Sequence, residues 1–358
     1  MGVGYMKKML KLLAGIMLAL FVVSGASASG KGDGNDTVVV GVLSFLNLSE
    51  ENYASLREGE IAVNAILHEQ GYIKSEGKRP DVGQKVTIRY FDTLGSLLMA
   101  LKAGEIHAIG GISQTTAVYL CAQDPQLQML FSYDWNKERK EGSFPYYAFQ
   151  RLSSGFSFMM LEKNIDLRNQ FNAVIAEMKK EGSLDKLIKE QILDSMDGRD
   201  LAPIVPEYKP GRETIKVAVT GALPPMDYVA PDGTFAGFNT ALLAEIGRRL
   251  DKNVSMVQVS SVGRATALAS GTVDVVFWTR SAAGGSAILS KEFEERMNKM
   301  KEGKPEKEVK AMDTFTAALA GKDGKNAQMA SYGKDMPDGT IITEPYFMST
   351  PAVVILKK

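Results

Sequence analysis

The sequence predicts an α/β protein made of two similar halves. Three observations carry that expectation: β-rich apolar runs alternate with short amphipathic helices, one ten-residue word occurs twice, and a proline-rich stretch separates the two occurrences. The words are Ala100-Leu101-Lys102-Ala103-Gly104-Glu105-Ile106-His107-Ala108-Ile109 and Ala267-Leu268-Ala269-Ser270-Gly271-Thr272-Val273-Asp274-Val275-Val276. Both read Ala-Leu-x-x-Gly-x-(Ile/Val)-(His/Asp)-x-(Ile/Val), each after a β-rich strand. A short helix closed by glycine and followed by a strand is a piece of β-α-β architecture, and two copies argue for two lobes facing one another.

The clearest unit spans residues 214–280. A strand over 215–220 breaks at Gly221-Ala222-Leu223-Pro224-Pro225, and Pro231-Asp232-Gly233 makes a turn. A helix follows over 240–250. Leu242, Leu243, Ile246 and Leu250 share one face, with Glu245, Arg248 and Arg249 opposite, and Asn239 stands where an N-cap belongs. A strand over 253–259, a helix over 264–269 closed by Gly271, and a strand over 273–278 complete a β-α-β-α-β pattern. Ligands of open α/β sheets lie outside the carboxyl ends of the strands. The places to look for a site are therefore 221–225, 260–264 and 278–281.

At the amino end, Lys7, Lys8 and Lys11 precede an apolar run over 12–23, and Ala26-Ser27-Ala28 offers a small-residue cleavage site. The run is short for a membrane span, so residues 1–28 read as a secretory signal peptide. Cleavage there leaves 39 basic against 42 acidic residues. A nearly neutral chain gives no sign of a nucleic-acid or anionic-membrane partner. Cys121 is the one cysteine, so no internal disulfide forms. Its neighbours Ala117, Val118 and Leu120 suit a small core residue better than a reactive thiol. No cysteine stands at the cleavage site to take a lipid, and a free periplasmic protein is expected.

Residues 29–36 form a polar, glycine-rich lead-in. Strands follow over 38–43, 86–91 and 106–109, with helices over 61–70, 97–103 and 112–122. The stretch 131–149 is aromatic and polar without a clean period, and reads as a loop that could wall the crevice. A strand over 156–161 comes next. Asp166 opens a helix with Phe171, Val174, Ile175 and Met178 on one face, stopped at Gly182. Ala202-Pro203-Ile204-Val205-Pro206-Glu207-Tyr208-Lys209-Pro210-Gly211 is a stiff, extended linker.

Three stretches of the second half are similar to one known family: Ala222-Leu223-Pro224-Pro225-Met226; Asp232-Gly233-Thr234-Phe235-Ala236-Gly237-Phe238-Asn239; and the Ala267 to Val276 word. In that order and spacing they resemble the first lobe of the amino-acid-binding proteins of ABC importers, solute-binding protein family 3. Residues 164–188 resemble the segment that closes the family's second lobe, and Thr343-Glu344-Pro345-Tyr346-Phe347 resembles its hinge word. The order is rotated relative to the family. The resemblance implies a circularly permuted type II periplasmic-binding-protein fold: 37–200 as the lobe 2-like domain, 201–213 as linker and hinge, 214–345 as the lobe 1-like domain, and 346–358 crossing back. A charged insertion over 282–339 has no counterpart, and reads as a solvated surface insertion or, alternatively, a lid or docking surface.

The resemblance also implies a small-molecule ligand, an amino acid or related zwitterion or anion, held without cofactor or metal and delivered by a monomer to an ABC permease in the inner membrane. A zwitterion needs a guanidinium or several N–H donors and, opposite, a carboxylate or carbonyls. From the second half, Arg264 and Arg280 are the candidate clamps, each also fitting a surface arginine, beside Ser261, Tyr228, Trp278 and Thr279. From the first half, Ser44, Phe45 and Asn47 occupy the place of the family's Gly-Ser/Thr-Thr loop, without its glycine. The family's ammonium-binding aspartate is absent, since Gly110-Gly111-Ile112-Ser113 stands there. Ser113 and Asp92 are the candidates in its stead. Some relatives of this fold are dehydratases or lytic enzymes, and a sensor or scaffold that has lost its ligand is a third reading. With only His68 and His107, and no His-Glu-x-x-His or phosphate-loop motif, a binding protein rather than an enzyme is expected.

Overall fold

Seven residues of unbroken apolar sequence, TVVVGVL, make the first strand β1 (Thr37–Leu43), buried almost throughout as a central parallel strand must be. The computed structural model describes residues 37–44, 50, 53, 57, 61, 65–71, 85–130, 140–196, 202–280, 291–320 and 337–357. The signal-peptide and lead-in expectations, the crevice-loop residues 131–139, and Phe45 and Asn47 lie outside them. After β1 come β2 (Lys85–Phe91), α1 (Leu94–Lys102), β3 (Ala108–Ser113), α2 (Gln114–Gln123), β4 (Leu127–Met129), α3 (Phe144–Leu152) and β5 (Ser154–Leu161). Helices α4 (Ile165–Glu181) and α5 (Ser183–Ile188) follow, with a wider turn over Lys189–Leu193. Past the proline-rich stretch run β6 (Thr214–Val219), β7 (Ala222–Leu223), β8 (Asp227–Val229), β9 (Phe235–Ala236), α6 (Phe238–Leu250), β10 (Asn253–Gln258), α7 (Arg264–Ala269) and β11 (Val275–Arg280). The insertion contributes α8 (Lys291–Lys299) and α9 (Glu306–Ala320), and β12 (Thr340–Ile342), β13 (Phe347–Ser349) and β14 (Pro351–Leu356) complete the order.

The strands make two principal sheets with one plan. The first runs β2-β1-β3-β14-β4, the second β10-β6-β11-β5-β12, and β7-β8-β9 form a small antiparallel sheet beside them. In each principal sheet the second, first and third strands of that half are parallel, and an antiparallel strand from elsewhere in the chain separates the third from the fourth. This is the two-lobe α/β architecture expected from the sequence.

The repeated word has the same conformation in both lobes. Gly104 and Gly271 end their helices at φ 75° and 72°, the left-handed region that glycine enters without a Cβ penalty. Their N–H groups donate to Leu101 O and Leu268 O, both at 3.1 Å. His107 N donates to Val39 O at 2.8 Å and its Nδ1 accepts from Val39 N at 2.9 Å. Asp274 N donates to Lys216 O at 2.9 Å and its Oδ2 accepts from Lys216 N at 2.9 Å. The variable position of the word is thus a side-chain extension of the β ladder in both copies.

Several boundaries differ from the sequence reading. β5, counted with the first half, lies in the second sheet between β11 and β12. With it goes α4, which packs on β5 and α6, so the helices over 165–188 serve the second lobe rather than the first. Arg249 of α6 fastens this contact by pairing with Glu181 and with Glu177 at 3.3 Å. The proline-rich stretch, read as linker and hinge, is attached to the second lobe at its far end. Asn253 accepts from Lys209 N at 2.8 Å and donates to Lys209 O at 2.9 Å and Arg212 O at 3.3 Å, while Arg212 pairs with Asp251, so the stretch is tied to the α6–β10 turn. Residues 144–152, read as part of a loop, are α3, capped by Ser143 with Pro145 in its first turn. The cap of α6 is Gly237 at φ 101°, not Asn239. A Cβ on Gly237 would stand 2.7 Å from the carbonyl oxygens of Met226 and Pro225, so only glycine fits the entry to this helix.

Among the described residues the chain passes between the sheets at Ser153, between α3 and β5, and at Thr350, between β13 and β14, while Asp194–Met196 also pack on α2 of the first lobe. β13 pairs with β5, Phe347 opposite Phe156 and Ser349 opposite Ser154. Aromatic rings clasp this junction: Tyr346 lies 4.7 Å from Phe158 and 6.1 Å from Phe238, and Phe347 lies 5.8 Å from both Phe156 and Phe238. The insertion helices are not a solvated appendage. They share a separate hydrophobic core with α3 and with the helical residues 65–69.

Candidate functional site

The carboxyl ends of both sheets meet at the crossing. In the first sheet, Ser113 at the end of β3 is opposite Pro351 at the start of β14; in the second, Arg280 at the end of β11 is opposite Phe156 of β5, whose other neighbour is Phe347. Since Phe347 and Pro351 are only a few residues apart, the two sets of strand ends face one junction. On one side of it α1 of the first lobe lies against β7 of the second.

From the first lobe, Ser44 and Asp92 follow β1 and β2 and are joined, Ser44 Oγ donating to Asp92 Oδ1 at 2.9 Å. Asp92 is exposed and so remains open to a further donor. Ser113 is already committed. Its Oγ caps α2, accepting from Thr116 N, and it lies 2.9 and 3.0 Å from the hydroxyls of Thr115 and Thr116. The sequence places Gly110 to Ser113 beyond the strand, whereas they are its last four residues: Tyr53 and Val40 fill the space a side chain on Gly110 would need, and Gly111 takes φ 74° where the β3–β14 register shifts.

From the second lobe, Arg264 opens α7 and is 3% exposed. It lies within electrostatic reach of Asp227, an aspartate the sequence reading passed over. Asp227 is 1% exposed, and its Oδ2 accepts from Thr220 N at 2.9 Å, Thr220 Oγ1 at 2.6 Å and Gly221 N at 3.0 Å. Burial pushes its carboxyl above the ordinary range, while these donors and the Arg264 charge act to hold it down. The available signal was an acid directly after an apolar Pro-Pro-Met run, where a carboxylate needs partners to be buried at all. Arg264 is therefore a buried cation beside a buried acid at a strand end, not a surface arginine.

Tyr228 stands in the small sheet, opposite Ala222 and Ala236, half-buried at the rim of the same strand ends. Ser261 begins the turn into α7. Trp278, Thr279 and Arg280 belong to β11 itself, Thr279 opposite Ser157; the sequence reading ended this strand at Trp278. The side chains of Ser261, Trp278, Thr279 and Arg280 lie outside the described residues, as do Phe45 and Asn47. Ser44 and Asp92 thus follow strand ends, Arg264 opens a helix, Tyr228 lies within β8, and Ser113 is a cap. Cys121 is half-buried, and burial pushes its thiol above the ordinary value, as suits a packed residue. Among the described residues no three His, Cys, Asp or Glu side chains are grouped to hold a metal ion. No described helix is long and apolar enough to cross a membrane.

Residues 215–282 match the model of one family, the bacterial extracellular solute-binding proteins, family 3. That segment ends where the insertion begins. No curated protein matches the chain. Among solved structures, the ligand-binding component of an ABC-type import system from Staphylococcus aureus, with zinc bound, is similar at 9% identity over 89% of this chain, with a TM-score of 0.34. This chain covers 66% of that one, just short of two thirds of its length. The periplasmic aliphatic sulphonate binding protein of Escherichia coli is similar at 11% identity over 86% of this chain and 85% of its own, with a TM-score of 0.29. A phosphate-binding protein of a phosphate ABC transporter from Streptococcus pneumoniae is similar at 10% identity over 90% and 89%, with a TM-score of 0.31.

Proposed function

We propose that this chain is an extracytoplasmic solute receptor: a monomer, exported by a cleaved signal peptide and free in the periplasm, that captures a small polar solute between its lobes and presents it to an ABC permease. The observation that carries the reading is the meeting of two like-ordered sheets, carboxyl ends inward, at a pair of crossing strands. That arrangement lets two rigid lobes close on a solute by bending at few residues, here Ser153 to Phe156 and Phe347 to Pro351. The match over 215–282 supports the same class. The solute is an amino acid or a related zwitterion or anion, gripped by Arg264 or Arg280 from one lobe and by Ser44 and Asp92 from the other, with no catalytic step. The rotated order of the halves is a circular permutation of the family's two-lobe plan, in which the proline-rich stretch joins the former ends.

Mass spectrometry of small molecules released by denaturing the purified protein identifies the solute, and thermal shift ranks its relatives, because a ligand of the folded state alone raises Tm. Arg264→Lys keeps a cation beside Asp227 but removes the guanidinium fork, so the fold survives and affinity falls about tenfold or more. Wild-type affinity in both Arg264→Lys and Arg280→Lys would remove the clamp from the account. Absence of any shift across metabolites would point to a scaffold, and chemical turnover of the solute to an enzyme.

A further inference from the structure

The separate core under the insertion helices belongs to neither sheet. Leu67, Tyr147, Phe149, Met297, Met312 and Phe315 are buried in it, from the segment between β1 and β2, from α3, and from the insertion between β11 and β12. It therefore collects chain that leaves the first lobe, chain that leaves the second, and the helix that leads into the crossing. Leu152 and Met348 pack against it, one at the end of α3 directly before Ser153 and the other within β13, so it adjoins both crossings.

One contact fastens it. Arg151 is 2% exposed, and its guanidinium donates to both carboxylate oxygens of Glu294 in α8, at 2.5 and 2.9 Å. Its Nε donates to Tyr147 Oη at 3.3 Å, and that oxygen lies 2.8 Å from Thr316 Oγ1 of α9. The guanidinium also stands 5.3 Å from the ring centre of Phe293. The bidentate contact fixes one geometry, and because Arg151 is buried while Glu294 keeps one side toward solvent, removing Glu294 strands a desolvated guanidinium. Helix α8 has nine residues and would not persist alone, so its position depends on this docking.

We propose that the α8–α9 insertion is a brace that sets the angle between the two lobes, with the Arg151–Glu294 pair as its latch. A second, non-covalent tie beside the crossing strands narrows the range of angles, and slipping the latch widens it. The consequence for solute capture rests on the receptor reading above; the brace itself does not, and it is tested without solute.

Nitroxide labels go on Met99→Cys in α1 and Val262→Cys beside α7, both well exposed, in a Cys121→Ser background. Pulsed dipolar spectroscopy then reads the distance distribution between the lobes, and hydrogen exchange reads the docking of α8 and α9. In Glu294→Gln, and in the gentler Thr316→Val should Glu294→Gln unfold, amide exchange in α8 and α9 rises at least tenfold and the distribution at least doubles in width. Faster exchange with an unchanged distribution would overturn the brace; unchanged exchange in both variants would overturn the latch and the proposal with it. A protein that binds no metabolite yet shows the broadening loses the receptor reading and keeps the brace.

Discussion

His107 and Asp274 stand at matching positions of the repeated word and do one task with different chemistry. Each closes a ring with the first strand of its lobe by giving its own N–H and accepting the partner's. The acceptor geometry matters and the imidazole does not, so His107→Asp leaves Tm within a few degrees. His107→Leu, which leaves Val39 N without its acceptor, costs about 1 kcal/mol in urea unfolding. Equal losses in both variants would show that the ring packs rather than bonds. The sequence aligned these two residues but not their role, because a ladder extension is legible only once the neighbouring strand is known. Asp227 was hidden for a related reason. Its partners, Thr220 and Gly221, reach it only after the chain doubles back through β7 and β8.

Among the elements, those with a one-sided stripe were legible and those buried on several sides were not. Helix α4 announces itself through Phe171, Val174, Ile175 and Met178, all buried, and stops at Gly182 with φ 80°. Helix α3 carries buried Phe144, Tyr147, Ala148, Phe149 and Arg151 around much of its circumference, so no 3.6-residue stripe shows. Its Ser143 cap and Pro145 were the usable signs. The charged cluster at the carboxyl end of α6 predicts a pH dependence. Arg248, then Arg249, hold the Glu245 carboxyl down at about 2, below its ordinary 4.5. A depressed carboxylate stabilises the fold fully above the unfolded value and loses that contribution as pH falls from 4.5 toward 2. Glu245→Gln should lower stability at pH 7 by about 0.5–1 kcal/mol, the modest scale of a partly solvated pair. The difference between the two proteins should shrink through that acid window, which urea midpoints at stepped pH would reveal; a difference constant down to pH 2 would refute the assignment.

At the scale of the whole molecule, residues 37–358 form one compact unit, and the two ends of that unit emerge together. β14 runs antiparallel to β3 and β1 parallel to it, so Leu356 and Thr37 lie at the same end of the first sheet's strands. Two strand spacings, about 10 Å, separate β1 from β14. A rearranged chain running from Glu207 to Lys357, which keeps the Lys209–Asn253 bonds, across a short glycine-rich joint, and on from Thr37 to Met196 should therefore fold with a Tm within several degrees of the parent. Failure to fold would mean that the proline-rich stretch does more than join α5 to β6. The return of the last strand to the first sheet was expected from the family resemblance, whereas the place of β5 in the second sheet was beyond local sequence reading, since a strand's own residues do not name its neighbours.

That exchange bears on how the polypeptide comes together during synthesis. β4 has β14 as its ladder neighbour, and β12 has β5, so each sheet holds a place open for a strand supplied from the opposite side of the molecule. The first sheet can gather β1, β2 and β3 early, yet β4 stays unattached until β14 has been made. A chain arrested before β14 would carry an open edge along β3, a surface prone to capture by other chains. The export proposed above, in which the chain crosses a membrane unfolded, is compatible with such wiring, because the first sheet is completed only once β14 has arrived.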